Sequence, residues 1–168
     1  TLLDVSRLEV GTFVIEPEPT DIVMLAESVV DEQAPSIAQK KIAFTFSADK
    51  NIPVMQVDPQ LVRIVIQNLL ANAINYTPDG GAVTFAINRT AQKEIQLRIA
   101  DTGYGIPLVQ QNLIFSKLFR ADNVKAKDTE GTGLGLYMVK SIVELSGGTI
   151  RFESEENKGT IFYVTLPF

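Results

Sequence analysis

The chain has 168 residues, 45% hydrophobic and 21% charged, the balance of one globular domain large enough to bury a core. With 15 Lys and Arg against 20 Asp and Glu its net charge is -5, which excludes a general basic face for nucleic acid or anionic lipid. It has no cysteine and no histidine, so disulfides, thiolate or imidazole metal sites and all histidine- or cysteine-based catalysis are excluded.

Any chemistry must therefore rest on carboxylates, amides, hydroxyls, Lys and Arg, backbone groups or a hard metal ion. No apolar stretch approaches the ~18–20 residues of a membrane helix. The opening residues 1–7 carry charge where a signal peptide is apolar, so the chain reads as an excised cytosolic module.

Residues 1–9 read as a helix end, with Leu2, Leu3, Val5 and Leu8 apolar and Gly11 as its stop. Phe13, Val14 and Ile15 suggest a short strand before Pro17 and Pro19. Thr20 or Asp21 can cap a helix whose apolar stripe is Ile22, Leu25, Ala26, Val29 and Val30. Strands are predicted over 42–46 and 53–57. Asp58-Pro59 is a helix start, an N-cap with proline at the first helical position, and that helix runs to Asn75 or Tyr76.

Strands over 82–88 and 95–100 follow, joined by a polar hairpin connection. A glycine-punctuated loop at 101–107 leads to a short helix near 109–115, and 120–130 reads as a polar loop. A helix over 133–146 ends at Gly147-Gly148, and strands over 149–154 and 160–166 close the chain as a hairpin. Long helices interleaved with hairpins predict a two-layer α/β sandwich, with about three helices over one face of a mixed, mostly antiparallel sheet.

Three features could carry chemistry. Asn68, Asn72 and Asn75 sit at i, i+4 and i+7 of an otherwise apolar helix, which puts three carboxamides on one face. Neutral amide oxygens suit Mg²⁺, which shares its remaining positions with water and phosphate. The same spacing equally suits a polar stripe that faces solvent or bonds neighbouring loops.

Next, Asp101-Thr102-Gly103-Tyr104-Gly105-Ile106-Pro107 places a carboxylate at a strand end before two glycines. Asp101 could accept from an exocyclic amino group and so favour adenine over guanine, unless this is an ordinary glycine turn. Third, Gly131-Thr132-Gly133-Leu134-Gly135-Leu136 opens a helix, where successive N–H groups can form an anion nest. It lacks the Gly-Lys-Ser/Thr ending of a Walker loop. Between residues 117 and 127 lie four bases (Lys117, Arg120, Lys125, Lys127) and one acid (Asp122), so this stretch is locally +3. It reads as a triphosphate lid or as a solvated charge run.

In order, these segments resemble a known family. Asn68-Leu69-Leu70-Ala71-Asn72-Ala73-Ile74-Asn75-Tyr76-Thr77-Pro78 is similar to the N box of sensor histidine kinases. Residues 101–107 resemble their G1 box, 114–120 their F box and 131–136 their G2 box. Gly147-Gly148 and Lys158-Gly159-Thr160-Ile161-Phe162 resemble the closing segments. The resemblance covers essentially the whole chain. It implies the ATP-binding catalytic domain of the GHKL superfamily, a Bergerat-type α/β sandwich with a mobile ATP lid.

The resemblance also implies roles. Asn72 would hold Mg²⁺, with Asn68 close to metal and phosphates. Tyr76 and Asn75 would lie at the nucleotide, Asp101 would hold the adenine amino group, and Gly103, Gly105 and Ile106 would line that pocket. Thr160 would support adenine through water. Lys117, Phe119 and Arg120 would meet the lid side of the nucleotide, Arg120 at phosphate charge and Phe115 and Phe119 as anchors. Gly131, Thr132, Gly133, Leu134, Gly135 and Leu136 would approach the phosphates. The family often carries Lys or Arg at the position of Asn75, and Glu and Pro at those of Lys117 and Leu118.

The implied activity is transfer of the γ-phosphoryl of ATP to a histidine on a separate dimerisation domain, then to a response-regulator aspartate. Residues 1–11 would end the upstream dimerisation and phosphoacceptor helix or form a linker, and 12–168 would be the ATP-binding domain. The isolated domain would be monomeric and cytoplasmic, while a full-length kinase would be a homodimer open to anchoring in the inner membrane. The alternative is a GHKL ATP-binding module or ATPase without histidine phosphotransfer. A hydrolytic member would be expected to carry a glutamate base where Asn68 stands.

Overall fold

The computed structural model describes residues 14–117, 119–125 and 133–168. The helix end and linker expected over residues 1–13, the Leu118 position, the lid stretch 126–130 with Lys127, and Gly131 and Thr132 lie outside the described residues. Val14 and Ile15 are not in a strand; the first strand is β1 (Glu18–Thr20), which pairs antiparallel with β3 (Met55–Val57) in a separate two-stranded sheet. A ribbon of this kind tolerates Pro19, which has no N–H to offer a ladder.

Helix α1 (Ile22–Gln39) starts at Asp21, whose carboxylate accepts from Val23 N at 3.1 Å and Met24 N at 3.0 Å. Ile22, Ala26 and Val29 are its fully covered stripe, and Pro35 lies inside it. Strand β2 (Ala43–Ala48) follows. Helix α2 (Pro59–Asn75) begins as its sequence predicts, with Asp58 accepting from Gln60 N and Leu61 N. Its C-terminal turn is closed by partners from outside: Lys40 Nζ donates to Ile74 O at 2.8 Å and Asn75 O at 3.0 Å. A cation there meets the negative end of the helix dipole.

Strands β4 (Ala82–Arg89) and β5 (Glu94–Asp101) form the predicted hairpin. A 3₁₀ helix (Leu108–Leu113) and the four-residue α3 (Asp122–Lys125) precede α4 (Gly135–Leu145), then β6 (Thr149–Glu155) and β7 (Gly159–Pro167). The main sheet has the order β2-β4-β5-β7-β6, parallel between β2 and β4 and antiparallel elsewhere.

Strict alternation decides which face is covered. Val83, Phe85 and Ile87, then Ile95, Leu97 and Ile99, then Phe162, Val164 and Leu166 point to one side and are buried. Leu69, Leu70 and Ile74 of α2 and Val139, Ile142 and Val143 of α4 are buried in the same core. The opposite face stays open, with Arg151 stacked 3.7 Å over the Tyr163 ring and Arg98 at 5.9 Å. Three long helices therefore cover one side of a mixed sheet. No helix among the described residues is long and apolar enough to cross a membrane.

Candidate functional site

Asp101 ends β5, the strand between β4 and β7. Its Oδ1 accepts from Gly103 N at 2.8 Å, turning the chain into the glycine loop, and from Thr160 N at 3.2 Å on the neighbouring strand. Among the described residues Oδ2 accepts nothing. Burial pushes the carboxyl pKa up to about 6, while the two backbone N–H bonds pull it down. The result is a fixed acceptor with one committed and one open oxygen.

The glycine loop is held from three directions. Tyr104 N donates to Tyr76 O at 3.1 Å, which ties the loop to the end of α2. Gly105 has φ 66°, and a Cβ there would collide with the Glu155 carbonyl, so both the conformation and the space demand glycine. Ile106 N donates to Ser154 Oγ at 2.9 Å, and Gln111 Nε2 donates to Ile106 O at 3.1 Å and Ser154 O at 3.0 Å.

The hydroxyl inventory fixes the state of Thr160, a buried residue. Ser154 Oγ lies 3.1 Å from Gly159 O, which can only accept, so the single serine proton goes there. The 2.8 Å contact between Ser154 Oγ and Thr160 Oγ1 is then donated by the threonine. Thr160 Oγ1 is left with acceptor capacity alone, suited to a water or ligand donor.

Asn68 Nδ2 donates to Ile64 O at 2.8 Å, which fixes its amide orientation. Its Oδ1 faces the start of α4 so closely that a Cβ on Gly135 would stand 2.8 Å away. Asn68 and Asn72 are half-buried and Asn75 is exposed. The open amide face of α2 is thus brought against the second glycine segment.

The start of α4 has no side-chain cap, and Gly133 with φ 73° precedes a right-handed Leu134. Such a change of hand turns successive N–H groups toward a common point. Phe115 packs its ring edge-on against Phe152 at 5.8 Å and Phe162 at 6.5 Å, which anchors the segment leading to α3. Phe119 packs against the same core, Lys117 is exposed and Arg120 is half-buried. A cavity of about 340 Å³ between Phe115 and α4 is lined also by Asn112, Tyr137 and Lys140; of the residues singled out from the sequence it includes the anchor Phe115 and none of the proposed metal, base or phosphate contacts.

The donor chemistry suits one metal type. Among the described residues no group of three or more His, Cys, Asp or Glu could hold a metal ion. The side-chain oxygens of Asn68 and Asn72 accept no protein hydrogen bond among those residues, and such amide oxygens fit a hard cation that completes its shell with water and phosphate.

Sequence reading missed Ser154, Gln111 and Asn123. Ser154 carried a signal: it pairs with Thr160 across β6 and β7, a polar residue at the parity that Phe152 and Phe162 direct inward. Gln111 and Asn123 carried none, because each bonds backbone carbonyls that no spacing marks.

The family profile described as histidine kinase-, DNA gyrase B-, and HSP90-like ATPase matches residues 57–168. The adaptive-response sensory kinase SasA of Synechococcus sp. (strain JA-3-3Ab) is 38% identical over 167 residues, 99% of this chain and 44% of the kinase. The chain thus spans less than half of that relative's length. The catalytic domain of histidine kinase ThkA superimposes with TM-score 0.78 at 27% identity, covering 90% of this chain and 95% of that one. Full-length ShkA, crystallised with AMPPNP, shares the fold with TM-score 0.87 at 24% identity, over 99% of this chain and 34% of that one. The chain belongs to the family of histidine kinase-, DNA gyrase B- and HSP90-like ATPases.

Proposed function

We propose that this domain binds Mg²⁺-ATP between α2, the Asp101 loop and the start of α4, and donates the γ-phosphoryl to a histidine outside the chain. The observation that carries this reading is Asp101: a buried carboxylate with Oδ1 tied down by two backbone N–H groups and Oδ2 open. A fixed, acceptor-only oxygen selects a ligand amino group, as on adenine, and rejects a carbonyl.

Around it the other residues take their parts. Thr160 Oγ1 accepts from a water at the base, and Tyr76, Gly103, Gly105 and Ile106 wall the base pocket. Asn72 and Asn68 are the oxygens that would hold Mg²⁺, whose chemistry is to neutralise phosphate charge. The uncapped N–H groups of Gly135 and Leu136, with Arg120, meet the phosphates.

Phosphoryl transfer of this kind asks for positioning and charge compensation more than for a nucleophile. The bond between the β–γ bridging oxygen and Pγ breaks, and a bond from an imidazole nitrogen forms. With no histidine in the chain, that nitrogen must come from another segment. A water-activating role is disfavoured, since the Asn68 carboxamide cannot take a proton as a glutamate would. ThkA, whose catalytic domain has this fold, is known in complex with response regulator protein TrrA. A receiver aspartate is accordingly the proposed next acceptor.

The test supplies labelled Mg²⁺-ATP with and without the upstream histidine-bearing segment. Acid-labile, base-stable label should appear only on the added segment. Release of inorganic phosphate at the same rate in both mixtures, with no labelled segment, would establish an ATPase instead.

A further inference from the structure

The turn that joins β6 to β7 braces the glycine loop. Asn157 donates its backbone N–H to Tyr104 O at 2.7 Å, and Lys158 N closes the turn on Glu155 O at 3.0 Å. Asn157 has φ 66°, a left-handed conformation that asparagine accepts more readily than most residues with a Cβ. Its side chain is exposed, so what it gives the loop is the N–H that this conformation aims at Tyr104. The same turn meets the loop at its other end. Thr160 N donates to Asp101 Oδ1 at 3.2 Å. A Cβ on Gly159 would collide with Asp101 O, as one on Gly105 would with Glu155 O. Tyr104 O receives one further, longer bond, from Asn123 Nδ2 at 3.4 Å. With the two backbones this close, the loop cannot shift relative to Asp101 unless the turn shifts with it.

We propose that Asn157 is a positioning residue for base recognition: its left-handed backbone shapes the turn that holds the glycine loop against Asp101. This rests on the ATP reading above, in which that loop walls the base and Asp101 accepts from its amino group. None of the contacts just named reaches Asn68, Asn72 or the start of α4. A change at Asn157 should therefore be felt at the base end of the site and not at the phosphate end.

Calorimetric titration with Mg²⁺-ATP, and competition by Mg²⁺-GTP, separates this role from plain stability. GTP presents a carbonyl where ATP presents the amino group, so it binds without the Asp101 hydrogen bond. Asn157→Pro removes the N–H and cannot adopt φ 66°. It should bind ATP about twofold to tenfold more weakly, the worth of one neutral hydrogen bond, and its preference for ATP over GTP should fall by the same factor. Asn157→Val keeps the N–H but its β-branch opposes the left-handed conformation; it should shift both readings the same way, and it serves alone where the proline variant does not fold. Asn157→Gly keeps both the N–H and the conformation and should restore wild-type binding. Unchanged ATP affinity in the folded proline or valine variant would overturn the inference. So would an equal loss for ATP and GTP, which marks a general loosening of the domain. Failure of the wild type itself to bind ATP would overturn the ATP reading together with this one.

Discussion

Thr160 donates its backbone N–H to Oδ1 of Asp101 at 3.2 Å, and the two residues are register partners across β5 and β7. The acceptor at the candidate site is therefore oriented by the neighbouring strand as well as by its own turn. Its direction is a property of the sheet.

Removing that carboxylate should leave the sheet and weaken the nucleotide. Asp101→Ala should lower ATP affinity about tenfold to hundredfold, the worth of a hydrogen bond to a charged group at roughly 1.5–3 kcal/mol. Asp101→Asn should lose less, because the amide oxygen can still accept. Titration calorimetry on both variants, with circular dichroism as a fold control, checks this; unchanged affinity in Asp101→Ala would reduce the residue to a turn former.

The raised pKa of Asp101 sets a pH dependence of definite sign. Burial raises the folded group to about 6; unfolded, it returns to its ordinary value of about 3.8. The folded state then holds a proton that the unfolded state has released across the window between these values. Its contribution to stability is full below about pH 4 and is lost as pH rises through 6. Asp101→Asn should therefore match or exceed the parent in urea resistance at pH 7, and that advantage should shrink below pH 4. ATP affinity should run the other way in the parent, falling as pH drops below 6, and flatten in the variant.

Ser154→Ala should destabilise the chain by about 1–3 kcal/mol, because the buried-side N–H of Ile106 loses its acceptor and Gly159 O its donor. The midpoint of urea unfolding reads this directly. Ser154→Thr keeps the hydroxyl and should recover part of the loss.

Gly105→Ala should cost more, about 3 kcal/mol or above, since a left-handed φ of 66° is joined to a steric clash with Glu155 O. Gly80 has φ 81° but nothing near a built Cβ, so Gly80→Ala should cost distinctly less. Equal unfolding midpoints for the two variants would show that the Glu155 contact is unimportant.

The pattern of legible and hidden features follows the range of the forces involved. Asp58-Pro59 announced α2 because capping is local, and the alternation in β4, β5 and β7 announced the covered face because side chains there obey a period of two. The displaced first strand shows the limit: Val14 and Ile15 are apolar, yet pairing went to residues 18–20, where β3 offers a partner. At the site, Asp101 and the asparagine face could be read from spacing. Lys40 on α2, Gln111 on Ile106 and Asn123 on Gly105 could not, because a side chain that bonds a distant carbonyl leaves no period behind.

The closing of α2 has a kinetic consequence. Asn72 O accepts from Tyr76 N, Ala73 O from the buried Thr77 hydroxyl, and Ile74 O and Asn75 O from Lys40. None of these four carbonyls depends on water, so this end should not fray on the fast timescale usual for a last helical turn. Tyr76 O in turn carries Tyr104 N, so the breathing of the glycine loop is coupled to the opening of that turn. Amide exchange at Tyr104 should accordingly be as slow as a helix interior, in a segment whose composition would suggest a surface loop.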